Sequence, residues 1–183
     1  MSSAKKIDRD IYKMIVENLA GADDSETMGA NVTQLLVGAL EVKGATIFVL
    51  NPETDELETL SSSGLSPNFI NKGPILVDKS IRLPPNRKPV IIRDTAADKR
   101  LQYPEKAEEE GIRSIVSVPI RLRGKIIGAL RIYHSDVWDV SQKELAFFEV
   151  LALNIGMALM YFRLATAVQA VKNTVDEIHP VWI

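Results

Sequence analysis

Residues 114–122 and 125–134 are two long runs of aliphatic and β-branched residues separated by Arg123-Gly124 alone. A two-residue connection containing glycine turns the chain straight back, so the runs pair as an antiparallel hairpin. In the first run Val116, Val118, Ile120 and Leu122 share a face; in the second, Ile126, Gly128, Leu130 and Ile132 do. The opposite faces, Ile115, Ser117, Pro119 and Arg121 with Ile127, Ala129, Arg131 and Tyr133, mix apolar and polar residues. A sheet with one dry face and one mixed face requires helices on one side and predicts a pocket or cover on the other.

The rest of the chain supplies both layers. Ile7, Ile11, Met14, Ile15 and Leu19 fall on one face of a helix that Gly21 ends. A second helix is expected from Asp23, with Glu26 three residues on as a capping box and Met28, Val32, Leu35, Leu36 and Leu40 as its apolar face. The period changes to two at residues 44–50, a strand, and again at Glu56–Ser63, its partner across the Asn51-Pro52-Glu53-Thr54-Asp55 turn. Residues 64–88 hold Pro67, Pro74, Pro84, Pro85, Gly64 and Gly73 among the apolar Phe69, Ile70, Ile75, Leu76, Ile81 and Leu83. This reads as a packed, irregular cover with a helical turn over 66–71. Val90–Ile92 is a short strand, followed by an acidic helical segment that Asp94 caps and Gly111 ends.

Ser141 and Glu144 open a final helix of roughly forty residues, far above the usual length. Its first half is apolar on several faces and belongs against the sheet. Its second half narrows to a heptad stripe, Met157, Tyr161, Leu164, Val168, Val171, Val175 and Ile178. That is the geometry of a two-helix seam. The plainer reading is packing on the N-terminal helix; the other is a seam with a second copy. The expected division is therefore a domain over 1–162 and a helical extension over 163–183 that serves dimerisation.

Composition excludes more than it selects. There is no cysteine, hence no disulfide, thiolate metal site or thiol catalysis. A net charge of −2 gives no overall attraction to nucleic acid or anionic membrane. The N-terminus lacks the apolar stretch of a secretory signal. The longest apolar stretch, 147–162, is interrupted by Glu149 and Asn154 and is shorter than the ~20 residues that span a bilayer. A cytoplasmic protein is expected, with no nucleic-acid or membrane partner. Arg113, Arg121, Arg123, Lys125 and Arg131 concentrate charge near the hairpin, but Glu105, Glu108, Glu109 and Glu110 balance it, so a solvated face is expected. There is no phosphate-binding glycine loop and no zinc-ligand spacing.

The order of these pieces resembles a GAF domain over about residues 7–162. The local matches are Gly44-Ala45-Thr46-Ile47-Phe48, Asp94-Thr95 with Asp98-Lys99-Arg100, and Glu110-Gly111-Ile112-Arg113-Ser114. Ser117-Val118-Pro119-Ile120 and Gly124-Lys125-Ile126-Ile127-Gly128 complete the series. The resemblance implies an α+β fold with layers: a central antiparallel sheet, the N- and C-terminal helices on one face, and a loop and short-helix cover over a pocket on the other. It implies a stand-alone signalling module that binds a small molecule non-covalently and relays it through the terminal helices, as a homodimer. No cofactor is expected. Covalent bilin attachment and the redox chemistry of free methionine sulfoxide reductases both need cysteine, so its absence excludes them. The separated Asn-Lys, Phe and Asp-Glu series of cyclic-nucleotide-binding members is not placed on this chain.

The resemblance puts the ligand near Phe69, Ile92, Asp94, Asp98, Arg100, Tyr103, Ser114, Ser117, Arg131 and Tyr133. The plainer reading makes the aspartates turn caps, Arg100 their ion-pair partner and the strand residues a surface; Tyr133 is expected half-buried with its hydroxyl available. His134 lacks a second ligand spaced to help it hold haem or metal, and the His179-Pro180 order does not match a phospho-accepting histidine. Two other functional classes compete. One is a ligandless dimerisation scaffold whose pocket is filled by Phe69, Ile75 and Tyr103. The other is an enzyme, for which no nucleophile–base pair or carboxylate pair stands at recognisable spacing.

Overall fold

The computed structural model describes the backbone of residues 9–76 and 88–178 and side chains to 176. Ile7, Ile81, Leu83, Pro84, Pro85, His179, Pro180 and the Ile178 side chain, all named above, lie outside the described residues. The elements run α1 (Arg9–Ala20), α2 (Ser25–Leu40), β1 (Gly44–Asn51), β2 (Glu56–Ser63), α3 (Pro67–Ile70), β3 (Ile75–Leu76), β4 (Val90–Ile92), α4 (Pro104–Glu109), β5 (Ser114–Leu122), β6 (Lys125–His134) and α5 (Gln142–Ile178). The strands form one six-stranded sheet in the order β3-β2-β1-β6-β5-β4, antiparallel at every pairing. The alternation in β5 and β6 and the turn between them dictate this centre. Arg123 (φ 49°) and Gly124 (φ 76°) both adopt positive φ, the pair of conformations a two-residue hairpin demands.

One face of the sheet carries the main core. Val116, Val118 and Ile120 of β5 and Leu130 and Ile132 of β6 meet Phe148, Leu151, Ala152 and Ile155 of α5. Met28, Val32, Leu36 and Leu40 of α2 and Ile15 and Leu19 of α1 complete the layer. Fully burying such side chains stabilises by about 1.5–3 kcal/mol each, so this face holds most of the fold's stability. Trp138, edge-on to Phe148 at 6.0 Å, closes its end.

Four expectations shift. Asp24, not Asp23, caps α2: its Oδ1 accepts from the Thr27 amide at 2.7 Å, and the partner is Thr27 rather than Glu26. The acidic helix shrinks to six residues because Pro104 is tolerated only in a first turn. Before it, Asp94 and Asp98 accept from the amides of Ala96 and Arg100 and build turns instead of a helix. A bulge at Ile120/Arg121 leaves Ile127 without a direct partner and turns it to the helical layer, so it parts from the mixed face. Arg131 is not part of a solvated basic face: it is 5% exposed.

The cap expected at the start of α5 forms in both directions. The Ser141 amide donates to Glu144 at 2.7 Å and the Glu144 amide donates to Ser141 Oγ at 3.2 Å. Ser141→Ala is expected to lower stability by about 1 kcal/mol, read as a shift in urea midpoint at unchanged m-value. α5 then runs 37 residues. An 18-residue window within it has mean hydropathy 1.8, long and apolar enough to cross a membrane, and 44% of that window is buried inside the domain. Beyond the sheet its stripe is bare: Met157, Tyr161, Leu164, Val168, Val171 and Val175 are 52% to 67% exposed. The reading in which α1 covers this stripe does not hold.

Candidate functional site beneath the cover

The second face of the sheet is polar where a core face would be apolar. Thr46 and Phe48 rise from β1, Ile115 and Ser117 from β5, and Ala129, Arg131 and Tyr133 from β6; all are buried. Their alternation puts them opposite the main core, as the mixed pattern requires. Arg131 donates through Nε to Ser117 Oγ at 3.3 Å, and its guanidinium lies 5.0 Å from the Phe48 ring centroid. The Thr46 hydroxyl bonds to Ser62 Oγ at 2.9 Å, and both Thr46 and Arg131 act on the Tyr133 phenol to favour its charged form. Burial pushes the Tyr133 phenol up and the Arg131 guanidinium down, each partly offset by the other. Tyr133 is thus fully covered, not half-buried.

The cover is α3 and the turn after it, the 101–103 segment and α4. Ser66 caps α3, and the Glu110 carboxylate ties this cap down, accepting from both the Ser66 amide, at 2.9 Å, and its hydroxyl. Lys43 reaches Glu110 at 3.7 Å. Phe69 stands edge-on to Tyr133, centroids 5.7 Å apart. Lys72 donates to the Phe69 carbonyl at 2.9 Å with its ammonium 3.9 Å from the Phe69 ring centroid. Burial, then the charge of Arg131, lowers its pKa to about 8, with Glu110 pulling the other way. Tyr103 Oη and Gln102 Nε2 both donate to the Pro74 carbonyl, at 2.9 and 3.0 Å. Gly73 makes this possible: its φ is 126°, and a Cβ there would lie 2.8 Å from the Tyr103 hydroxyl.

Between these described residues and the sheet little space remains, while a cavity of about 290 Å³ lies on the other side of Phe69, among Lys43, Ser66, Lys106 and Glu110. One void of about 30 Å³ lies among Phe69, Lys72, Gln102, Tyr103, Arg131 and Tyr133, and another of about 10 Å³ adjoins Phe69, Lys72, Tyr133 and Thr46. The larger holds about one water. A larger cavity, about 460 Å³, is on the helical side, where α5 leaves the hairpin, among Leu60, Leu122, Ile127, Leu159 and Phe162.

Of the residues proposed from sequence, Phe69, Tyr103, Ser117, Arg131 and Tyr133 converge here. Ile92 packs below them in the same apolar cluster as Phe69 and Tyr133. Asp94, Asp98 and Arg100 stand apart. Asp94 pairs with Arg113 at 3.1 Å, and Arg100 pairs with Asp98 and donates to the Ile91 carbonyl at 3.0 Å. Ser114 donates to the Asp136 carbonyl at 2.9 Å. His134 is buried, accepts from the Asp136 amide at 3.0 Å and packs on Trp138. Lys72, Gln102 and Thr46 join the site unforeseen. Thr46 sits on a strand face that alternation marks; Lys72 and Gln102 sit in turns, where no period shows which way a side chain points.

Comparison with known proteins gives one family model, the GAF domain, matching residues 24–159. No curated protein sequence matches the chain. Among solved structures, the GAF domain of a phosphoenolpyruvate-protein phosphotransferase (ptsP) from Coxiella burnetii is similar at 22% identity. The match covers 86% of this chain and 95% of that one, with a TM-score of 0.76. The free methionine-R-sulfoxide reductase of Neisseria meningitidis, in complex with its substrate, is similar at 17% identity. There the shares are 90% and 98%, with a TM-score of 0.75. The A. aeolicus nlh2 GAF domain in an inactive state is similar at 20% identity, over 83% and 94%, with a TM-score of 0.65.

Proposed function

The chain belongs to the GAF domain family, whose members are generally sensory or regulatory modules, and from that premise we propose a sensor that takes a small molecule beneath its cover and signals through α5 as a homodimer. The observation that carries the reading is the buried polar face. Arg131, Ser117, Thr46 and Tyr133 occupy positions that aliphatic residues would fill with less desolvation. Polar groups held under a cover of short helices and turns favour ligand recognition over packing alone. The voids between the described residues are small, so uptake is expected to shift the 69–75 segment. A ligand shifts that equilibrium only by binding the open arrangement better than the closed one.

The bare stripe on α5 supports pairing with a second copy, since a seam of heptad spacing finds its complement in itself. Nucleic acid is left out of the proposed partners because Arg131 is buried and Arg113 is paired, which breaks the basic cluster. A membrane is left out because the first half of α5 is committed to the core.

A specific observation favours a second reading. Phe69, Ile75 and Tyr103 line the 30 Å³ void as the ligandless scaffold would have them. Thermal melting against a metabolite library, at several protein concentrations, separates the two. The sensor reading expects at least one compound to raise the melting temperature. No stabilising compound, with melting that rises with protein concentration, establishes the scaffold instead.

A further inference from the structure

We propose that the cleft where α5 leaves the hairpin is a small-molecule site of its own, one that takes a compact carboxylate with its apolar body against the end of the sheet and its anionic group on Arg163. The inference goes beyond the sensor reading. This cleft lies on the helical side of the sheet, away from the cover, and stands whether or not the cover admits a ligand. Backbone geometry opens it. Gly156 brings α5 against β5, since a Cβ there would lie 2.8 Å from the Arg121 carbonyl oxygen and 3.2 Å from Ile120 Cγ2. Beyond that contact a straight helix parts from a sheet whose strands twist away from it. The bulge at Ile120/Arg121 turns Ile127 toward the same space.

The cavity of about 460 Å³ falls within the ~300–1,000 Å³ of small-molecule sites. Val49, Leu60, Ile127 and Phe162 line it, and each packs on the main core with only part of its surface covered. An apolar body placed there takes more of that surface out of water, which favours binding in proportion to the area. Charge then selects the kind of molecule. The charged residues of the lining are Glu58 on the β2 wall and Arg163 on α5. Glu58 Oε1 accepts from Asn51 Nδ2 at 2.8 Å, so this carboxylate is engaged at the β1–β2 turn. Arg163 makes no ion pair among the described residues. Its planar fork of donors matches a carboxylate through two parallel hydrogen bonds. On α5, Leu159, Phe162 and Thr166 recur at spacings of three and four, about half a turn round the helix from Met157, Leu164 and Val168. A pair formed along that bare stripe leaves the cleft open, so a molecule in it bridges α5 to β2 and the hairpin within one chain.

The test uses 2-naphthoate on the full chain, with 2-naphthamide as the neutral isostere and acetate as a carboxylate without an apolar body, read by calorimetry and methyl NMR. The naphthoate is expected to bind and to shift the methyl signals of Leu60, Ile127 and Leu159, leaving those of Ile92 and Ile115 on the other face unmoved. Arg163→Gln is expected to weaken it about fivefold, a modest factor because solvent screens an exposed arginine, and to leave the amide unaffected. Thr59→Trp fills the rim from a strand position that accepts aromatic residues and is expected to abolish binding. Arg163 and Thr59 are both exposed, so folding is retained. Equal affinity for naphthoate and its amide overturns the carboxylate assignment. Acetate bound as tightly as naphthoate overturns the role of the apolar walls. Shifts confined to Ile92 and Ile115 overturn the cleft and support the site beneath the cover instead. No binding, or binding indifferent to both substitutions, overturns the proposal and leaves the sensor reading untouched.

Discussion

Gly128→Ala is expected to leave the protein largely unfolded, although it adds a single methyl group. Gly128 lies mid-sheet in β6, opposite Val49 of β1. A Cβ built there would sit 2.1 Å from the Phe48 carbonyl oxygen, 3.2 Å from its carbon and 3.4 Å from Val49 Cα. All three are backbone atoms, so no rotamer change relieves the clash. The remaining response is to part β1 from β6, which splits the sheet between its two halves and opens the main core on one side and the Arg131 face on the other. A loss above about 4 kcal/mol follows, comparable to the whole stability of a marginal domain at about 5 kcal/mol. Gly38→Ala is the control. Gly38 is exposed in α2 with nothing within 4 Å of its Cβ position, so alanine there gains about 0.5–1 kcal/mol from helix propensity. Urea denaturation with far-UV circular dichroism measures both. A Gly128→Ala midpoint equal to wild type would mean that β1 and β6 do not approach as closely as described.

The same glycine shows how far the sequence could be read. Alternation in residues 114–134 predicts the hairpin, its ends and which face is dry, because a period of two is a property of the strand alone. It does not predict the bulges at Ile47/Phe48 and Ile120/Arg121, where the pairing partner decides the register. It marks Gly128 as a core-facing residue but not as a point of backbone contact. The sequence reads as a longer helix than α4 because acidic and lysine residues favour helix locally, while Pro104 and the turn-forming Asp94 and Asp98 reset the start. In the site, Arg131 and Tyr133 were legible as polar residues on a strand of known facing. Their burial was not, since it depends on the 69–75 cover folding over them. Lys72 and Gln102 depend on that cover entirely.

The substitutions Leu164→Glu, Val168→Glu and Val171→Glu, made together, are expected to abolish self-association while leaving the domain intact. These side chains are 58%, 67% and 65% exposed, so the single chain loses no packing when they change. Glutamate is a good helix former, so α5 itself persists. The exposed stripe from Met157 to Val175 covers about 28 Å at 1.5 Å per residue, enough for two to three heptads. Val150 and Leu153, also exposed, continue the stripe back onto the part of α5 that packs the sheet. Pairing would therefore extend from the body of the domain outward, which is the route by which movement under the cover could reach a partner. Burial of a Leu or Val side chain contributes about 1.5–3 kcal/mol, and three per chain in a two-chain seam exceed what a change of a hundredfold in Kd requires. Like charges facing across the seam add repulsion that salt only partly screens. Sedimentation velocity over a range of concentrations should show a wild-type dimer and a triple variant that stays monomeric with an unchanged circular dichroism spectrum. A wild type that remains monomeric throughout, or a variant that still pairs, would show that α5 does not form the seam. In that event, a signal originating at Arg131 would need another exit from the domain.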